Sequence, residues 1–327
     1  MHAPVAGVGY LTGPDAHPVS TYLGGAAGFA RVSSPNRILV PLPDGYDPPR
    51  KNTGISFVFL LPGVGEVLRL NGRVLRSGSS VEIGVEQAFV HCARAIRRSG
   101  LWRAPGANTV PIESAIQAGG ALDDPMVAGL LSAATFLVVS TWACDGSSDT
   151  SPRGDHAGFI QILDSDTIAI PDRKGNKRAD AFHNLIEDRR ISLAVLVPGK
   201  NVVLRIGGTA YMSDEPDLLA TMELKGTAPH AALVVEVAHV ELRSNTALLE
   251  SGFWDLPARA VDEMPNMNTL AARHVAIMSN RAQTRSALGI AFGVVAEFPR
   301  LVKAAADFGI KSALRGEGYP GPTGTTP

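Results

Sequence analysis

The sequence predicts a mainly β chain, with a minor helical part, in which a small barrel is built twice in tandem and followed by a helical tail. Three observations predict this. The chain repeats itself at a long period, both repeats consist of short β-type runs bounded by turn residues, and residues 257–327 abandon that pattern.

The repeat is clearest between residues 54–72 (GISFVFLLPGVGEVLRLNG) and 190–208 (RISLAVLVPGKNVVLRIGG), where nine of nineteen positions are identical at an offset of 136. Among these are Pro62/Pro198, Gly63/Gly199, Arg69/Arg205 and Gly72/Gly208. Gly28-Phe29 answers Gly158-Phe159 at an offset of 130, and Ser99-Gly100-Leu101-Trp102 answers Ser251-Gly252-Phe253-Trp254 at 152. A period of this length marks a duplicated domain, not a solenoid repeat.

Four units follow in order. A first copy occupies 1–105, recognisable from about Tyr10 and lacking most of its first strand. A connector covers 106–131, a second copy 132–256, and the tail 257–327. In copy 1, Gly28–Val32, Arg37–Pro41, Ile55–Leu61 and Glu66–Leu75 read as strands, each bounded by Gly, Pro, Asn or Asp. Pro62-Gly63 supplies a tight turn between the last two. Val85, Phe89, Cys92 and Ile96 fall on one helical face, so Val85–Arg98 is expected to be a helix. In the connector, Asp124 before Pro125 marks a helix start.

Copy 2 opens with the strand Phe136–Ala143. A polar turn, CDGSSDTSPRGD, leads to strands at Gly158–Leu163 and Thr167–Ile170, then a basic loop, a helix over Asp180–Glu187 and the repeated hairpin. Short strands with brief helices suit a small barrel. In the tail, Asn268–Ala287 and Ile290–Leu314 read as helices, and the final GEGYPGPTGTTP has a disordered composition.

Composition narrows the function classes. With 45% apolar and 19% charged residues and a net charge of −1, the chain is of ordinary soluble type, and nothing favours nucleic acid or an anionic membrane as partner. Cys92 and Cys144 provide no disulfide framework. No signal peptide is legible, and the apolar run Ala287–Val295 is too short to span a bilayer. The expected location is the cytoplasm.

The chemistry lies in copy 2. Ser151-Pro152-Arg153-Gly154-Asp155 places a cation where copy 1 has Leu23 at the 130 offset. Thirteen residues separate Pro41 from Ile55, whereas nineteen separate Pro171 from Ile191. The six extra residues fall in the basic loop and helix start, which contain Asp172-Arg173-Lys174-Gly175-Asn176-Lys177-Arg178, a Gly-containing loop with four cations leading into a helix. Helix N-termini and guanidinium groups bind phosphate, so this loop is the candidate phosphate site. His156 lies beside the Arg153 turn. No histidine pair has metal-ligand spacing with a carboxylate, so no metal is expected. Cys92 reads as a small buried hydrophobe, and Trp102 and Trp254, at equivalent repeat positions, as packing residues. No G-x-G-x-x-G dinucleotide fingerprint is present.

The run SPRGDHAGFIQILDSDTIAIPDRKGNKRADAFHNLIEDRRISLAVLVPG resembles the pyridoxamine 5′-phosphate oxidase-like, split-barrel FMN-binding family. Within it, the chain is similar to the subgroup with SP-(R/K)-GD, a GF strand, IPDR-x-GN-x-R and an LxPG hairpin. His91–Trp102 of copy 1 resembles that subgroup's C-terminal ending.

The resemblance implies two tandem split β-barrels of the FMN-binding type forming an internal pseudo-dimer with one competent site. Ser151 and Arg153 would hold the flavin, Asp172 and Arg173 would sit near its ring and ribityl parts, and Lys174, Asn176, Lys177 and Arg178 would cradle the phosphate. Asn184 is a weaker candidate. His91, Arg94 and Trp102 of copy 1, with His156, form the possible substrate side. The implied activity is FMN-dependent hydride or electron transfer to a small-molecule substrate or oxygen, with a transient nicotinamide dinucleotide as a possible donor. The alternatives are a haem-binding or haem-degrading split barrel, a deazaflavin cofactor, and a non-catalytic flavin carrier or sensor. Family members are generally homodimers, which leaves a homodimer of the tandem chain open.

Overall fold

Each copy forms seven strands in the same order. The structure is a computed structural model that describes residues 2–102, 122–175, 178–255, 312–317 and 319. Copy 1 comprises β1 (Val5–Thr12), β2 (His17–Gly24), β3 (Arg31–Ser34), β4 (Arg37–Pro41), β5 (Gly54–Leu60), β6 (Val67–Arg76), β7 (Ser80–His91) and the short helix α1 (Arg94–Ser99). Helix α2 (Pro125–Ala133) follows, its N-cap Asp124 accepting from the backbone N–H groups of Met126 at 2.8 Å and Val127 at 3.3 Å.

Copy 2 comprises β8 (Phe136–Trp142), β9 (Ser148–Gly154), β10 (Gln161–Ile162), β11 (Thr167–Pro171), α3 (Asp180–Glu187), β12 (Arg190–Leu196), β13 (Val202–Ser213), α4 (Pro216–Thr221), β14 (Ala232–Ser244) and α5 (Thr246–Glu250). The first sheet runs β2-β1-β5-β6-β7-β4-β3 and the second β9-β8-β12-β13-β14-β11-β10, so the two topologies match strand for strand. All pairs are antiparallel, and neither sheet closes between its edge strands. The architecture is therefore two split barrels in tandem.

The central strands bury both faces, which explains their nearly continuous apolar runs. Ile55, Phe57 and Phe59 of β5 enter the core of copy 1, while Val58 and Leu60 enter a core shared by the two copies. In β12, Leu193 and Val195 enter the core of copy 2, and Ala194 and Leu196 the shared core. Tyr22, Phe136, Val138 and Phe253 also belong to the shared core.

Polar contacts at the same junction are paired. Ser20 Oγ donates to Ser140 Oγ at 2.7 Å, Ser56 Oγ and Thr150 Oγ1 lie 2.7 Å apart, and Tyr22 donates to the Ala194 carbonyl at 3.2 Å.

Three expectations are corrected. Copy 1 has its complete first strand, β1. It was hidden by Gly7 and Gly9, residues depleted in strands. Both are required here, because a β-carbon on Gly7 would lie 2.7 Å from Val138 Cγ1 and one on Gly9 would lie 2.2 Å from Ser140 Oγ.

The polar stretch expected to be a turn is largely strand β9, paired with β8 from Trp142↔Ser148 to Phe136↔Gly154. Its Asp149 and Thr150 are buried where Arg69, Asn71 and Ser56 of the other copy satisfy them.

Ser80–His91 is a strand, and the helix is confined to Arg94–Ser99. Asn71 pairs with Gln87 and Gly72 with Val85, so Glu86 is an extra residue that breaks the period-two alternation.

Residues 259–327 form a separate compact unit. Its described part is a helical turn at 312–316, where the Tyr319 N–H donates to the Leu314 carbonyl at 2.9 Å. The helix expected at 268–287, and residues 290–311 of the next, lie outside the described residues. Among the described residues no helix is long and apolar enough to cross a membrane.

Candidate functional site

Strand β9 ends against α1 of the other copy. The approach is close enough that a β-carbon on Gly154 would lie 2.2 Å from the Ala95 carbonyl oxygen. Beside this contact, β9 and the loop after β11 meet β7 and α1 around a cavity of about 490 Å³. Residues from both copies line it.

The structure brings Ser151, Arg153, Asp172, Arg173, Lys174 and Arg178 of copy 2 to this cavity, with His91 and Arg94 of copy 1. Asn176 and Lys177 lie outside the described residues. Trp102 does not line the cavity. Its Nε1 donates to the Val64 carbonyl at 2.7 Å, and Trp254 Nε1 donates to the Lys200 carbonyl at 3.0 Å, the same bond at the repeat position. His156 also turns away, its Nδ1 standing 2.8 Å from Asp155 Oδ1. Asn184 Nδ2 donates to Thr141 Oγ1 at 3.0 Å.

The lining is cationic. Arg69, Arg94, Arg98, Arg153, Arg173, Lys174 and Arg178 face two carboxylates, Asp155 and Asp172. Several of these cations are held in place. Arg173 Nε donates to Asp155 Oδ2 at 2.7 Å, and Arg153 Nη2 lies 3.7 Å from Asp172 Oδ1. Arg178 donates to both oxygens of Asp180 at 2.7 and 3.1 Å, and its guanidinium carbon sits 3.9 Å from the centre of the Phe89 ring of copy 1. From α1, Arg94 Nη1 at 3.3 Å and Arg98 Nη2 at 2.5 Å donate to the Lys174 carbonyl. Copy 1 thereby fixes the backbone of the basic loop.

Behind this wall, Asp149 accepts from Arg69 Nη2, from Asn71 Nδ2 at 3.3 Å and from Ser151 Oγ at 2.8 Å. Arg69 and Asp149 are both almost completely buried. Arg69 Nη1 lies 3.5 Å from His91 Nδ1. Burial, with the cations of Arg69, Arg153 and Arg178 nearby, pushes the His91 imidazole down to about 3, so it is neutral at ordinary pH.

Arg69, Arg98, Phe89, Phe159, Phe182 and His230 are site-forming residues that sequence reasoning missed. Arg98 carried a signal: it follows Arg94 by four residues, one turn along the same helical face.

The pseudo-equivalent position on the other side of the molecule is built differently. Thr21, Leu23, Thr246 and Glu250 stand where the working side has Ser151, Arg153, Arg94 and Arg98. The short loop of copy 1 folds into this position. Asn245 Nδ2 donates to Tyr46 Oη at 3.1 Å, Tyr46 also bonds the Thr21 side chain, and Arg243 Nη1 donates to the Gly45 carbonyl at 3.4 Å.

Fold and site together define a split-barrel protein with a cation-lined cavity at the junction of two lobes. Residues 124–244, nearly all of copy 2, match the family described as Pyridoxamine 5′-phosphate oxidase. No curated protein matches the chain.

Among solved structures, a conserved hypothetical protein of Mycobacterium tuberculosis is similar, with 14% identity over 46% of this chain and 94% of its own and a TM-score of 0.30. HupZ of Group A Streptococcus matches with 15% identity over 32% of this chain and 82% of its own, at a TM-score of 0.27. General stress protein 26 of Bacillus anthracis matches with 8% identity, covering 35% and 88%, at 0.26.

Proposed function

We propose that the cavity binds FMN and that the chain is an FMN-dependent oxidoreductase acting on a small molecule. The observation that carries this reading is a lining of seven cations and two carboxylates, with Asp149 and Asp180 paired to Arg69 and Arg178 beside it, in a cavity also lined by Phe159 and Phe182. A phosphate-bearing aromatic ligand fits that donor set, because guanidinium groups match phosphate oxygens and ring faces match apolar walls. The match of residues 124–244 to the pyridoxamine 5′-phosphate oxidase family supports the same ligand class.

In this reading Lys174 and Arg178, with Arg94 and Arg98 bracing the loop, hold the phosphate end. Arg153, Arg173 and Ser151 orient the rest of the ligand. His91 contributes a neutral imidazole to the wall. The bound flavin supplies the hydride or electron transfer, and the protein supplies binding, orientation and exclusion of water.

Arg98→Ala and Arg178→Ala test the assignment separately. Each is expected to weaken FMN binding at least about tenfold, which corresponds to about 1.4 kcal/mol. Unchanged FMN affinity in both variants, with the fold retained, contradicts the reading.

A further inference from the structure

The buried Asp149 has a consequence for the ligand. A serine hydroxyl has one proton to donate and lone pairs to accept with. Ser151 Oγ donates to Asp149 Oδ2 at 2.8 Å. The other neighbours of Asp149, Arg69 Nη2 and Asn71 Nδ2, both act on Oδ1. Oδ2 therefore depends on Ser151. Turning the hydroxyl proton elsewhere would leave a buried carboxylate oxygen unsatisfied, which is unfavourable. Ser151 lines the cavity and Asp149 does not, so the pair has a hidden member and a ligand-facing member. At the vestigial position the corresponding residues are Val19 and Thr21, so Asp149 has no repeat counterpart there.

We propose that Asp149 is a positioning residue that fixes Ser151 as a hydrogen-bond acceptor toward the cavity, so that the ligand must present an N–H or O–H donor there. This deepens the FMN reading and rests on it. A flavin carries such donors on its ring imide and its ribityl hydroxyls. The rim of a haem, with methyl, vinyl and ionised propionate groups, carries none. Specificity of this kind is strong because a ligand without the donor leaves the buried acceptor unpaired.

The test measures binding of FMN and riboflavin to the full chain, by flavin fluorescence and visible absorption, in wild type, Ser151→Ala and Asp149→Asn. Riboflavin is included because Asp149→Asn also removes a negative charge, which favours the phosphate of FMN but not the uncharged ligand. Ser151→Ala leaves the Arg69–Asp149 pair intact, so it keeps the test valid if Asp149→Asn folds poorly. Both variants are expected to bind riboflavin about tenfold more weakly, with an altered visible spectrum of the bound flavin, and Ser151→Ala is expected to fold with a lowered melting temperature because Asp149 Oδ2 loses its donor.

Unchanged riboflavin affinity and spectrum in Ser151→Ala overturn the inference, as does tighter riboflavin binding in Asp149→Asn, because an amide would release the Ser151 proton toward the ligand. Failure of the wild type to bind either flavin is a different outcome: it removes the FMN reading, and this inference with it.

Discussion

Gly9 lies directly against Ser140 across the junction of the two copies, and each is the repeat equivalent of the other. Gly9 pairs with Ser20 in copy 1 and Ser140 with Thr150 in copy 2, so the two positions face one another on the pseudo-two-fold axis. A β-carbon on Gly9 would stand 2.2 Å from Ser140 Oγ and 2.6 Å from Thr150 Oγ1. Gly7 and Val138 repeat the arrangement one pleat away. The axis admits one small and one larger residue, which fits copy 1 against copy 2.

Gly9→Val is therefore expected to lower stability by about 2 kcal/mol or more through overpacking. Gly129 in α2 has open space around its position, so Gly129→Ala is expected to leave the protein unchanged or to stabilise it by up to about 1 kcal/mol. Thermal denaturation of the two variants checks this. Equal melting temperatures would remove the steric account of the axis.

The buried Arg69–Asp149 pair joins the copies behind the cavity. Removing one member leaves an uncompensated buried charge, so Arg69→Met is expected to cost about 3–5 kcal/mol. Arg69→Met combined with Asp149→Leu removes both charges and is expected to recover most of that loss. Urea unfolding of the single and double variants measures it, and a double variant as unstable as the sum of its parts would contradict the pairing.

His91 makes stability depend on pH in a definite direction. In the unfolded chain an imidazole titrates near 6.5, while in the fold His91 is held down to about 3. Between those values the unfolded state takes up a proton that the folded state refuses. The contribution is complete above pH 6.5 and is lost as the pH falls toward 3, with a limiting slope of about 1.4 kcal/mol per pH unit. His239, lowered by burial and by His17, acts in the same direction. His91→Asn is expected to flatten this acid loss in denaturation measured from pH 7 to pH 5. An unchanged slope would place the titration elsewhere.

The fold was largely legible because the repeat is read along the chain. The hairpin around Pro62-Gly63 and its copy at Pro198-Gly199 were recognisable from turn residues between apolar runs. The misread segments depend on the other copy. The glycines of β1 make sense only against Val138 and Ser140. The polar strand β9 makes sense only once Ser56, Arg69 and Asn71 of copy 1 are seen to satisfy it. The bulge at Glu86 hid β7.

The candidate site divided in the same way. The basic loop of copy 2 was visible as a run of charges. Arg69, Phe89 and Arg98 were not, because each is ordinary in its own strand or helix and acquires a role only by facing the opposite lobe.

One ligand site per chain is expected, because Tyr46 fills the pseudo-equivalent position. Titrating the apoprotein with FMN while recording the absorption spectrum tests it most directly. Saturation is expected at about one FMN per chain with an oxidised-flavin spectrum, and at the same stoichiometry in Leu23→Arg, because Tyr46 still fills the second position. Saturation at two FMN per wild-type chain, or no flavin binding at all, would contradict it.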